Sequence, residues 1–129
     1  MTCIFCKILN KEIPSFKIYE DENTYAFLDI NPINKGHTLV ISKKHYKDIY
    51  DIPENTLKHL ILTVKKLSIP IKQATNADGI SISQNNEEAA GQVIFHIHFH
   101  IIPKFKNKTS NKYKEGEAQK LANKIKTLL

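Results

Sequence analysis

Six histidines occur in the 129 residues, and three of them fall in one run, Phe95-His96-Ile97-His98-Phe99-His100-Ile101-Ile102-Pro103. Imidazole can ligate a metal, move a proton or attack an electrophile near neutral pH, because its ordinary pKa is about 6.5. Alternation with Ile and Phe has the period of a half-buried strand, closed here by Pro103. Successive strand side chains point to opposite faces, which assigns Ile97, Phe99 and Ile101 to a core. His96, His98 and His100 then form a row on the other face, spaced roughly 7 Å apart. Packing explains such a row poorly, since every buried ring nitrogen needs a partner. Two chemistries fit it. His-x-His pairs can share a metal that keeps an open position for an activated water. Alternatively, a neutral imidazole is the nucleophile of phosphoryl chemistry while its neighbours hold phosphate oxygens. Spacing alone does not choose between them.

A second candidate lies at the N-terminus. Cys3-x-x-Cys6 is half of a tetrahedral zinc site and needs two more ligands, and a disulfide is disfavoured in a reducing cytosol. On spacing alone, two free thiols near a terminus are an equal explanation.

The pattern His-φ-His-φ-His-φ-φ, with φ apolar, is the signature of the histidine triad family of nucleotide hydrolases and transferases, which this chain resembles. The likeness continues through Cys3-Ile4-Phe5-Cys6-Lys7-Ile8, Glu12-Ile13-Pro14, Ala26-Phe27-Leu28-Asp29-Ile30-Asn31-Pro32, Gly36-His37-Thr38-Leu39-Val40-Ile41, Lys43-Lys44-His45, and Asn85 with Ala90-Gly91-Gln92. These pieces fall in family order from residue 3 to about residue 105. The resemblance implies a Hint-like phosphoramidase branch in which His98 is the nucleophile, His100 donates to a phosphate oxygen and His37 supports the row. It implies a nucleoside pocket at Ile8, Phe27, Asp29 and Ile30, although core packing would explain Phe27 by itself. Asn85, Gly91, Gln92 and Val93 would border the phosphate. Val93 is a departure, since many relatives carry a polar residue there, and it bears on how a leaving group is protonated. In zinc-bearing members the ligands match Cys3, Cys6, His45 and His96, which removes His96 from the catalytic row. The expected cofactor is structural Zn2+, with no organic cofactor.

The implied reaction is hydrolysis of purine nucleoside 5′-phosphoramidates of the AMP-amine type through a nucleotidyl-histidine. Dinucleoside polyphosphate hydrolysis is the alternative within the enzyme class. A metal hydrolase built on the triad is the alternative mechanism, and a non-catalytic nucleotide-binding module stands outside the enzyme class. The resemblance also implies a symmetric homodimer whose sheets join edge to edge.

The elements that must position these residues are α+β: about five antiparallel strands, a covering helix and a short C-terminal helix. Residues 16–20 and 24–29 alternate around Asp-Glu-Asn as a hairpin, and 37–42 reads as a third, buried strand. Leu57, Leu60, Ile61, Val64, Leu67 and Ile71 recur at helical spacing from about Glu54, and Pro70 should kink or stop that helix. His59 beside the stripe reads as a surface or packing histidine. Gly79–Gln84 should pair antiparallel with the triad strand through loop 85–92. Residues 1–129 read as one domain with its core in 1–105. A polar connector and a helix carrying Ala118, Leu121, Ala122, Ile125 and Leu128 follow.

The formal net charge is +6, all nineteen cationic side chains are lysines, and residues 104–129 hold 8 Lys against 2 Glu. Without arginine, phosphate must be held by imidazole, lysine or backbone N–H groups. No nucleic-acid motif accompanies the basic tail, so nucleic acid is not the expected partner. No apolar run approaches the ~20 residues of a membrane span and no signal-peptide core is present, so a cytoplasmic protein without a membrane partner is expected.

Overall fold

The computed structural model describes residues 3–129. Five strands form one antiparallel sheet: β1 (Lys17–Glu20), β2 (Thr24–Leu28), β3 (Thr38–Ser42), β4 (Gly79–Ser83) and β5 (His98–Lys104), ordered β1-β2-β3-β5-β4. Helices α1 (Ile4–Leu9), α2 (Glu54–Thr75) and α3 (Glu117–Thr127) accompany it. The α+β class and the sheet with its covering helix are as the sequence predicts.

The two faces of the sheet have different jobs. Ala26, Leu28, Val40, Phe99 and Ile101 point to one face, where they meet Leu60, Val64, Leu67 and Ile71 of α2 and Ala118, Ala122 and Ile125 of α3. The intervening residues Phe27, Leu39 and Ile41 pack against Phe5 and Ile8 of α1 on the other face. Register then places the chemistry: Ile41 lies opposite His98 and Leu39 opposite His100. Two histidines of β5 therefore project on the α1 face, beside an apolar floor.

The hairpin forms where predicted. Asp21 Oδ1 accepts the N–H groups of Asn23 and Thr24 at 2.8 and 2.9 Å, an Asx turn that closes β1 onto β2. Pro103 does not end β5, which runs on to Lys104. Its missing donor costs nothing in the ladder, because β3 ends at Thr38 opposite Ile101 and the Pro103 carbonyl accepts from Asn34 Nδ2 instead.

Two further local expectations are corrected. The triad strand starts at His98 rather than Phe95, because the Ser42 carbonyl at the end of β3 accepts from His96 Nε2 at 2.7 Å instead of from a β5 amide. Helix α2 runs unbroken from Glu54 to Thr75 with Pro70 inside and buried. A proline there removes the donor to the Lys66 carbonyl, but Leu67, Ile71 and Ala74 hold both flanks against the sheet. Helix α1 has no counterpart in the sequence reading, and its six residues are too few to display a period. His59 is exposed. Among the described residues no helix is long and apolar enough to cross a membrane.

Candidate active site and metal cluster

His98 Nδ1 lies 2.8 Å from the His96 carbonyl oxygen. A carbonyl only accepts, so Nδ1 carries the proton and Nε2 keeps its lone pair. The neighbouring ring is set by a longer chain of bonds. The Ile33 N–H donates to His37 Nδ1 at 3.1 Å, which places the His37 hydrogen on Nε2. His37 Nε2 stands 2.9 Å from His100 Nδ1, which must accept, and His100 in turn carries its hydrogen on Nε2. Asp29 Oδ2 is 3.9 Å from His37 Nε2. The His98 and His100 rings are 4.9 Å apart between centroids.

Electrostatics keeps these rings uncharged. Burial pushes His100 down to about 4, with His98 and His37 adding to the effect. Burial also lowers His98, opposed by its bond to the His96 carbonyl and by Asp29. His37, almost fully buried, is lowered by desolvation against the pull of Asp29. At pH 7 the row offers one free lone pair and one outward N–H.

Beside it a cavity of about 220 Å³ is lined by Phe5, Ile8, Phe27, Asp29, Ile30 and Ile94, among others. All four positions assigned to the nucleoside pocket border this one cavity. Phe5 was missed as a pocket residue by sequence reasoning, because α1 is too short to display a period. Its ring meets His98 edge-on at 5.0 Å and Phe27 at 5.6 Å, so it packs between the histidine and the cavity floor.

Loop 85–92 follows β4, whose Ser83 lies opposite His100. Gly91 has φ +95°, a conformation that glycine adopts without strain, and Asn85 packs against it. Gln92 is buried, and its side chain is committed to the loop: Nε2 donates to the Lys47 and Ile94 carbonyls and Oε1 accepts the Glu87 N–H. Its side chain braces the loop, with no donor left for a ligand. Val93 is 83% exposed.

The metal cluster sits at the other end of the run. Cys3 Sγ is 3.4 Å from His96 Nδ1, Cys6 Sγ is 3.3 Å from His45 Nδ1 and 3.6 Å from His96 Nδ1, and the two Nδ1 atoms are 3.2 Å apart. All four donor atoms lie within 4.8 Å of one another. Tetrahedral zinc, bonded at about 2.3 Å to sulfur and 2.0 Å to nitrogen, has ligand–ligand edges of roughly 3.3–3.8 Å. The donor set and most of its spacing therefore fit zinc. His96 is oriented for the task, since Nε2–H is held by Ser42 and Nδ1 faces inward. Cys3 also caps α1, accepting the Cys6 N–H at 3.4 Å. Burial and the adjacent Cys3 hold the Cys6 thiol up at about 11, a proton that a bound cation would displace.

A neutral imidazole with a free ring nitrogen, a second imidazole with its hydrogen on Nε2 and an apolar cavity bordered by a carboxylate fit a nucleotide site of the histidine triad kind. Residues 10–107 match the HIT domain model, and the chain belongs to that family. It is 52% identical over 103 residues to an uncharacterized HIT-like protein of Methanocaldococcus jannaschii, covering 80% of this chain and 79% of the relative. An adenosine 5′-monophosphoramidase of Candida albicans is 46% identical over 107 residues, with 80% and 70% covered. The solved structure of a zinc-bound histidine triad family protein from Mycobacterium smegmatis matches with a TM-score of 0.88 at 34% identity, covering 98% of this chain and 92% of that one.

Proposed function

We propose that this HIT-type hydrolase cleaves purine nucleoside 5′-phosphoramidates at the α-phosphorus through a covalent nucleotidyl-histidine. The observation that carries the reading is the tautomer of His98: its Nδ1–H is tied to the His96 carbonyl, so Nε2 is the free, neutral nucleophile. The nucleoside lies in the Phe27–Asp29–Ile30 cavity, with ribose hydroxyls donating to Asp29 and the base on the apolar wall. The side chains of Asn85 and Val93 and the backbone at Gly91 and Gln92 border the phosphate. His98 Nε2 attacks phosphorus and the P–N bond to the amine breaks. The leaving nitrogen takes a proton from water at the open Val93 end. A second water then attacks the phosphorus and gives its proton to the hydroxide left by the first, the P–Nε2 bond breaks, AMP forms and the neutral ring returns. His100 Nε2–H donates to a non-bridging oxygen throughout, and His37 keeps that hydrogen on Nε2.

Cys3, Cys6, His45 and His96 would hold a structural Zn2+, which supplies a cross-link between α1 and the β3–β5 end of the sheet. The thiolate ligands suit a reducing cytoplasm. The same reading includes a homodimer joined at a sheet edge. β4 has no strand on its outer side and its Ile82 is 48% exposed.

The deciding experiment is AMP release from adenosine 5′-phosphoramidate by the wild type and by His98→Ala at matched folding. Loss of activity by several orders of magnitude is expected. Equal rates in both proteins would remove His98 from the mechanism.

A further inference from the structure

The loop that carries His37 is held from outside the residues that match the HIT domain, which end at 107. Gly36, immediately before His37, donates its N–H to the Tyr113 hydroxyl at 2.7 Å. One residue earlier, Lys35 Nζ pairs with Glu117 Oε2 of α3 at 2.9 Å. The inner side of the same loop is closed: Gly36 has φ +96°, and a Cβ there would sit 2.5 Å from Thr75 Cγ2 and 3.0 Å from Pro103 Cγ. Gly36 is therefore pressed between α2 and β5 on one side and the C-terminal connector on the other.

What the loop positions is the relay into the site. The Ile33 N–H sets the tautomer of His37, and His37 Nε2–H sets that of His100. Both groups ride on the segment whose outer tether is the Tyr113 hydroxyl. Tyr113 itself is half-buried and packs against the main core, so its oxygen is a fixed acceptor rather than a mobile surface group.

We propose that Tyr113 is a positioning residue for the phosphoryl reaction, acting through Gly36 and His37 to keep the His100 hydrogen on Nε2. The proposal rests on the phosphoramidase reading for its kinetic consequence, but its structural consequence is independent of substrate. Removing the hydroxyl leaves the buried Gly36 N–H without an acceptor, and the loop relaxes outward. The His37–His100 bond then weakens, and His100 populates both tautomers, only one of which donates to phosphate.

The test uses the full-length, zinc-loaded protein and the variant Tyr113→Phe. Three quantities are read: Gly36 amide exchange, the ¹⁵N signals of the His37 and His100 rings at pH 7, and kcat and KM for AMP release from adenosine 5′-phosphoramidate. In the wild type both rings should show Nε2–H. In Tyr113→Phe, Gly36 exchange should rise about tenfold and the His100 nitrogens should move toward averaged values. kcat should fall about tenfold with KM changed less than about twofold. Unchanged His100 signals in a folded variant overturn the proposal. A wild type that releases no AMP from this substrate defeats the functional reading, while the imidazole signals still decide the role of Tyr113. Should Tyr113→Phe fail to fold, Glu117→Gln loosens the same segment through Lys35. It should then shift the His100 signals in the same direction, and identical spectra overturn the proposal.

Discussion

His96 and His98 are two residues apart in one run, yet they present opposite nitrogens. His96 gives Nε2–H to the Ser42 carbonyl and turns Nδ1 toward two cysteines and His45. His98 gives Nδ1–H to the His96 carbonyl and leaves Nε2 free. One ring faces the cysteines and the other keeps a free ring nitrogen, and what separates them is which backbone oxygen each ring finds. The residue type supplies the chemistry, and the end of a β-ladder decides how it is used. The two centres also differ in what they hold together: the cluster ties α1 to the sheet, whereas the second pair lies on a sheet already formed.

The sharpest way to break this contrast is substitution. His98→Ala should lower kcat/KM by roughly 10³-fold or more while leaving the melting temperature nearly unchanged. A stability loss comparable to that of a cluster variant would erase the division between the centres. Next in size is the cluster itself. Cys6→Ser, or chelation followed by calorimetry, should cost about 2–3 kcal/mol and lower Tm by roughly 10 °C, with zinc content falling in parallel. Unaltered Tm on metal removal would show that the cluster is not a structural cross-link.

Acid provides the third, smaller comparison. His100 has a folded pKa of about 4 against about 6.5 unfolded, so between those values the unfolded chain binds more protons. The stability from keeping His100 neutral is complete above pH 6.5 and is lost as pH falls toward 4. Denaturant midpoints should decline across that window, and His100→Gln should flatten the decline. Smallest is Val93→Ser. At this exposed position Tm should stay within about 1 °C, while turnover of substrates with poorly leaving amines rises severalfold because a hydroxyl can pass them a proton. Equal rates for good and poor leaving groups in both proteins would place the leaving nitrogen away from residue 93.

Much of this arrangement is visible in the chain. The alternation around His98 and His100 fixes the face on which both project, and the apolar stripe of α2 fixes the opposite face. The grouping of Cys3 and Cys6 with His45 and His96 came from family likeness rather than spacing, since three segments far apart in sequence meet there. Other features escape pattern reading for physical reasons. Helix α1 is six residues long, so Phe5 carried no periodic signal. A stop at Pro70 follows a rule of isolated helices, and tertiary packing carries α2 past it to Thr75. Gln92 reads as a polar loop residue, and only the fold shows its amide spent on Lys47, Glu87 and Ile94. The tautomers of His37, His98 and His100 depend on backbone groups with no side-chain identity at all, which no sequence pattern encodes.

The neutrality of the three rings carries a last consequence. With uncharged imidazoles, Asp29 as the nearby carboxylate and no guanidinium in the chain, the cleft offers a phosphate directed N–H bonds rather than a reservoir of positive charge. Under the proposed reaction, such a cleft ranks anions by shape at the phosphorus, not by how many charges they bring. Lengthening a polyphosphate chain therefore gains little grip, and ionic strength has little hold on the bound state.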